Sequence, residues 1–290
     1  MKTPPRIQPL VEDGLIDEAV RRLMSGKEAD VFIVRAGDRR LCAKVYKDVS
    51  KRSFKKAAQY QEGRKVRNSR RARAMQKGSK FGRAEQESVW QNAEVSALQR
   101  LAAAGVRVPE TYGCVDGVLL MELIVGPDGD VAPRLADVAM TADQAREDHA
   151  LMMDYIKRML VAGLVHGDLS EFNVLVDEYG PVIIDLPQAV DAAENNNARS
   201  MLERDIANVT NTYAEFAPEL KQTAYAPEMW SLYEEGLLTE HTELTGEFED
   251  DAGPADVDAV LAEIKAVLAE EEARRAGTLD EPEEPEDEEV

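Results

Sequence analysis

The sequence predicts an α+β chain of two lobes, with a β-rich part first, a helical part after it and an acidic extension at the end. Three observations carry this expectation. Apolar, β-branched runs separated by Gly-Asp and Asp-Gly turn signals lie within residues 29–46 and 111–124. Helical periodicity dominates 143–163 and 194–238, and from about residue 245 the chain turns polar and acidic. With 290 residues, 44% of them hydrophobic, the chain can bury one substantial core or two small lobes, but hardly two large domains.

The elements follow in order. In LVEDGLIDEAVRRLM (10–24) apolar residues recur three and four apart, which suits a short amphipathic helix or an edge strand. SGKEADVFIVRAG and RRLCAKVYKD, separated by a Gly-Asp turn, read as neighbouring antiparallel strands. From Arg83 to Ala104 a helical pattern is closed by Gly105. TYGCVDGVLLMELI is a hairpin on an Asp-Gly turn. A helix over 143–163 ends at its own Gly and leads into LVHGDLSEFNVLVDEYGPVIIDL, a loop between short strands at 174–176 and 182–184. Residues 194–238 are helical in composition and interrupted at Pro218 and Pro227. The resulting organisation is a domain over 1–244, with lobes of about 15–121 and 122–244, and an acidic, largely disordered extension over 245–290.

Charge is distributed unevenly. The net charge of -21 argues against a surface that binds nucleic acid throughout, yet residues 47–83 hold 14 Lys or Arg against Asp48 and Glu62. The N-terminal stretch has no apolar run of signal-peptide length, and no segment reaches the roughly 18 to 20 apolar residues that cross a membrane, so a soluble, cytoplasmic chain is expected. Cys42 and Cys114 make no disulfide framework and read as buried small hydrophobes.

The chemistry concentrates in His166-Gly167-Asp168-Leu169-Ser170-Glu171-Phe172-Asn173, which has the H-x-D-L-x-x-x-N spacing of a protein-kinase catalytic loop, and in Asp185, delivered by an apolar strand 12 residues after Asn173. Taken singly, such residues cap turns or end strands. In this order they supply a carboxylate to orient an acceptor hydroxyl (Asp168) and an amide oxygen and carboxylate for Mg²⁺ or Mn²⁺ (Asn173, Asp185). His166 is expected to support the loop backbone. Lys44, on a β-run, and Glu94, in the following helix, form the pair that holds the ATP α- and β-phosphates, with Cys42 and Tyr46 on the face of Lys44. Met121, Glu122 and Ile124 lie in the strand-to-hinge segment where adenine would meet backbone. Ser25, Gly26 and Lys27 stand where G-x-G-x-x-G is absent; there the hydroxyl, the backbone amides and Lys27 are the expected phosphate contacts.

SGKEADVF, CAKVYK, VWQNAEVSALQRL, VLLMELI with VAPRL, LVHGDLSEFNVLV, IIDLPQAV and ERDIANVTNTYAEF together resemble the RIO family of atypical serine/threonine protein kinases, over about 20–216 and nearest the subfamily without an N-terminal winged helix. The resemblance implies a bilobal protein-kinase-like fold, trimmed of activation loop and peptide-docking helices, an ATP- and Mg-dependent phosphotransferase, and a flexible loop at 47–83. It also implies self-phosphorylation, with Ser53, Ser69 and Ser79 as candidate acceptors. The family's STGKEA begins here at Ser25 after Met24, so one phosphate-facing hydroxyl is missing.

Alternatives remain beside the kinase reading. One is an ATPase switch acting on a ribonucleoprotein or other partner, with 47–83 as an RNA contact. Another is a small-molecule phosphotransferase of the aminoglycoside type, although only 46 residues separate Met121 from Asp168. The basic insert also has the acidic tail as a partner, since 271–290 hold ten acidic and two basic residues.

Overall fold

Residues 2–26, 28–47 and 93–249 are described by the structure, a computed structural model. Its β-rich part is one five-stranded antiparallel sheet: β1 (Glu18–Ser25), β2 (Ala29–Ala36), β3 (Arg39–Tyr46), β4 (Thr111–Val115) and β5 (Val118–Glu122), in the order β1-β2-β3-β5-β4. The turn signals do what their chemistry allows. Gly37 takes φ 60° between β2 and β3, and Asp116 and Gly117 take φ 49° and 77°, the paired positive values of a two-residue hairpin turn. The stretch expected as helix or strand is both: α1 (Gln8–Glu12) ends near Gly14 (φ 71°), and β1 follows.

Alternation in β3 decides which side chains reach the site. Leu41, Ala43 and Val45 join Ile7, Leu10 and Val118 in a core on one face, under α1. The intervening Cys42, Lys44 and Tyr46 face the other way, so the strand is buried on both sides. Residues 93–103 form α2, whose stripe of Glu94, Ala97, Leu98 and Leu101 has i, i+3, i+4, i+7 spacing and is buried. The expected start of this helix at Arg83, with Val89 and Trp90, lies outside the described residues, as do Lys27, most of the insert 47–83 with Ser53, Ser69 and Ser79, and the tail beyond residue 249.

The helical part is built on α3 (Ala142–Val161), capped by the Thr141 hydroxyl accepting from Gln144 N–H at 3.2 Å, and on α4 (Ala198–Tyr213) and α5 (Tyr225–Glu234). Pro227 does not interrupt a helix as expected; it sits in the first turn of α5, where a missing N–H leaves no intrahelical bond unmade. The main core combines Met152, Ile156 and Leu160 of α3 with Leu202 and Val209 of α4. Two short ribbons lie beside it: β6 (Leu164–Val165) with β9 (Val190–Asp191), and β7 (Val174–Asp177) with β8 (Gly180–Ile183). This compact unit runs to Phe248, past the expected boundary at 244. Buried Glu228 accepts from Thr245 N–H at 2.7 Å and Gly246 N–H at 2.8 Å, which ties the following segment to α5. Of the two cysteines only Cys42 is buried; Cys114 is half-buried. No helix among the described residues is long and apolar enough to cross a membrane.

Candidate active site

The β7–β8 ribbon brings two of the expected residues together. Its register pairs Val174 with Ile183, so Asn173, just before β7, and Asp185, just after β8, lie at the same end. A bond from Ile184 N–H to Asn173 C=O, 3.0 Å, closes that end. Asn173 Nδ2 donates to the Asp168 carbonyl at 2.8 Å, which commits its nitrogen and leaves its oxygen as the side chain's remaining polar atom. Asp168 is exposed at the mouth of the same cavity.

Lys44 reaches this point from the sheet. Its Nζ lies 2.6 Å from Glu94 Oε1 and 2.5 Å from Asp185 Oδ1, and the Tyr46 hydroxyl donates to the other Glu94 oxygen. Burial alone would lower the lysine's pKa, but the charges of Asp185 and Glu94 raise it above its ordinary value and keep it a cation. Burial works to raise the Asp185 carboxyl, and the charge and hydrogen bond of Lys44, with His166 and Arg134 behind them, outweigh it and hold the group below 3.8. The Asp185 side chain still keeps 46% of its surface open. Its backbone is left-handed, φ 66°, a costly conformation for a residue with a Cβ and one that concentrates at functional sites. Burial pushes the Cys42 thiol up to about 12, against the opposing pull of the Lys44 charge.

Cys42, Lys44, Asp168, Asn173 and Asp185 line a cavity of about 520 Å³ between the sheet and the helical part, within the size range of small-ligand sites. Met121, Glu122 and Ile124 line it too. In that segment Glu122 N–H donates to Glu110 C=O at 2.8 Å and Ile124 C=O accepts from Ala132 N–H at 3.0 Å. Gly26 lines the wall, but without a positive φ: its N–H donates to Ala29 C=O at 2.8 Å in a tight turn. Ser25 departs from expectation. It pairs with Asp30 across the strands, is absent from the cavity wall, and its hydroxyl accepts from Lys47 Nζ at 3.2 Å. The same ammonium donates to Gly26 C=O at 2.6 Å and pairs with Asp30 at 3.3 Å, so Lys47 staples the turn where a flexible glycine loop was missing. Lys27 lies outside the described residues.

The loop carrying Asp168 is held from α4 by residues to which sequence reasoning gave no role. Buried Asp205 accepts from Gly167 N–H at 2.7 Å and Leu169 N–H at 3.0 Å, Asn208 Nδ2 donates to Leu169 C=O at 2.9 Å, and Arg204 donates to Gly167 C=O. Burial pushes the Asp205 carboxyl up to about 6, against the opposing pull of His166 and these two amides. His166 Nδ1 accepts from Asp168 N–H at 3.3 Å, so Nε2 is the protonated nitrogen and donates to Ile184 C=O at 3.2 Å. The backbone-supporting place expected of His166 is where the structure puts it. Within ERDIAN, the i, i+4 spacing of Arg204 and Asn208 was the available signal for one helix face gripping one loop.

Asp185 and Asn173 each bring a side-chain oxygen to the cavity wall, and no group of three or more His, Cys, Asp or Glu able to hold a metal occurs among the described residues. That donor set fits a hard cation completed by phosphate oxygens and water, as Mg²⁺ is usually bound, and not a dedicated protein cage.

Comparison with known proteins agrees with this geometry. The RIO domain family matches residues 30–226. The chain is 36% identical over 208 residues to the RIO-type serine/threonine-protein kinase Rio1 of Haloferax volcanii, covering 71% of this chain and 67% of that protein. It is 33% identical over 202 residues to the serine/threonine-protein kinase RIO1 of Homo sapiens, covering 69% of this chain but 34% of the human protein, so the chain spans about a third of that relative's length. Its fold is similar to that of the Rio2 kinase in a crystal structure of an ADP/Mg²⁺-phosphoaspartate complex from Chaetomium thermophilum, with a TM-score of 0.52, 21% identity and coverage of 72% of this chain and 59% of that one.

Proposed function

We propose, for a chain that belongs to the RIO family, that the cavity transfers the γ-phosphoryl group of ATP to a serine or threonine hydroxyl. The observation that carries the reading is the meeting of Lys44 with both Glu94 and Asp185 in a cavity that Asp168 and Asn173 also line. The protein is an atypical serine/threonine kinase. Adenine lies against Met121, Glu122 and Ile124, and the committed Glu122 N–H and Ile124 C=O direct it to the Glu122 C=O and Ile124 N–H. Lys44, anchored by Glu94, turns its charge to the phosphates. Asn173 and Asp185 would hold Mg²⁺, which when bound would neutralise the charge that develops on the phosphates. Asp168, on a loop fixed by Asp205 and Asn208, orients the acceptor hydroxyl and takes its proton as the O–P bond forms and ADP leaves.

The acceptor is a protein hydroxyl, with Ser53, Ser69 and Ser79 of the basic insert as the candidates for self-phosphorylation. Phosphopeptide mapping after incubation with Mg-ATP tests this, and label confined to peptides outside 47–83 removes self-phosphorylation of the insert.

A second reading is favoured by the 46% of the Asp185 side chain that stays open. In an ATPase cycle a carboxylate oxygen of Asp185 takes the phosphoryl group, ADP leaves, and water cleaves the acyl phosphate to restore the carboxylate and release phosphate. Hydroxylamine-sensitive label on the protein supports this cycle; acid-stable label on serine supports the kinase.

A further inference from the structure

Three residues beyond Asp185, Gln188 spans the cavity. Its Nε2 donates to Glu28 Oε1 at 3.4 Å, across 160 residues of sequence. Its own oxygen is buried and has no hydrogen-bond partner among the described residues. A buried amide oxygen left unmatched costs free energy, so it calls for an explanation. Both Gln188 and Glu28 line the same wall as Lys44, Asn173 and Asp185.

Each end of the contact is anchored. On one side, Leu186 is buried, Pro187 fixes its own φ, and Ala189 N–H donates to Leu186 C=O at 3.1 Å, which makes the segment after Asp185 a tight turn. On the other, Lys47 N–H donates to Glu28 C=O at 2.8 Å, which ties Glu28 to the end of β3. A hydrogen bond between Glu28 and Gln188 constrains the gap between the elements that carry them, and that gap is the phosphate end of the cavity in the phosphotransfer reading on which this inference rests.

We propose that Gln188 is a positioning residue: with Glu28 it forms a latch that sets the spacing between the β1–β2 turn and the metal-side turn, and its free amide oxygen accepts a hydrogen from water at the phosphates. Mg²⁺ bound by few protein oxygens keeps several waters, which are the donors such an oxygen would meet. The 3.4 Å contact lies at the long end of the hydrogen-bond range.

Exchange of partners separates this role from ordinary packing. Gln188→Glu sets two carboxylates against each other, Glu28→Leu cuts the latch without adding charge, and Glu28→Gln with Gln188→Glu rebuilds the pair with donor and acceptor reversed. Calorimetric titration with ADP and Mg²⁺ is expected to show about tenfold weaker binding for Gln188→Glu and for Glu28→Leu, the size of one lost hydrogen bond. The exchanged double variant returns to within about threefold of wild type. Thermal melts establish that each variant is folded, and Glu28→Leu carries the test should Gln188→Glu not fold. A double variant as weak as Gln188→Glu, or wild-type affinity in every variant, overturns the latch alone. A wild type that does not bind Mg-ADP overturns the phosphotransfer reading and the latch with it.

Discussion

Lys44 and Glu94, fifty residues apart in sequence, meet at 2.6 Å with side chains 8% and 2% exposed. A buried pair of this kind is sensitive to loss of one member, because the survivor keeps its charge without a partner. Lys44→Met is therefore expected to cost about 3 kcal/mol in urea unfolding, the low end for a broken buried pair since Tyr46 still donates to Glu94. Adding Glu94→Gln removes the stranded charge and should restore most of that stability. Neither variant is expected to transfer phosphate, which separates the fold's need for the pair from the chemistry's need for Lys44.

Asp185 combines a left-handed backbone with a carboxylate paired to Lys44. Asn tolerates positive φ better than Ala, so Asp185→Ala should be less stable than Asp185→Asn by about 1 kcal/mol in thermal melts, while both lose Mg²⁺-dependent nucleotide binding. With its folded pKa below 3.8, the wild-type carboxylate contributes stability above the unfolded value and loses it as pH falls through the folded one. The Lys44–Asp185 pair should accordingly persist down to the lower edge of the carboxylate range.

Asp205 titrates in the opposite sense. Its folded pKa of about 6 lies above 3.8, so the fold binds its proton more tightly than the unfolded chain does, and stability from this group is lost as pH rises from 3.8 to 6. Asp205→Asn lacks the titration. Denaturant unfolding at pH 4 and pH 7 should show wild type losing on the order of 3 kcal/mol of its advantage over Asp205→Asn between the two, the equivalent of about two pKa units. A difference independent of pH would show that the carboxylate is already ionised at pH 4.

The sequence made the strands, their turns and the Lys44–Glu94 pair legible because each rests on local rules: alternation in β3, positive φ at Asp116 and Gly117, and one stripe on α2. Asn173 and Asp185 were legible through spacing, since an antiparallel ribbon must return its ends to one place. Contacts made at long range left no such mark. Nothing periodic says that Asp205 grips Gly167 and Leu169, that Gln188 reaches Glu28, or that Lys47 draws the Ser25 hydroxyl off the cavity wall. Pro227 misled because a proline in the first turn of a helix and one that ends a helix look alike until the start of the helix is known.

Glu228 offers a check on the segment that closes the compact unit. It receives the amides of Thr245 and Gly246, and a Cβ on Gly246 would sit 2.9 Å from the ring of Tyr225. Glu228→Ala should destabilise the unit by about 2 kcal/mol through unmatched donors. Gly246→Ala, at φ 70°, should release the same segment by strain and collision. Hydrogen exchange would report both as faster exchange at 245 and 246, with protection in α3 unchanged.

Asp168 carries the central claim, because a carboxylate that orients the acceptor is needed for transfer and not for holding ATP. Incubation of γ-labelled Mg-ATP with wild type and with Asp168→Asn, following label on protein and free phosphate together, should show wild-type transfer and a loss of about a hundredfold or more in the variant, with nucleotide affinity retained. Equal labelling by the two proteins, or a wild type that binds Mg-ATP and releases no γ-phosphoryl group to protein or water, would contradict it.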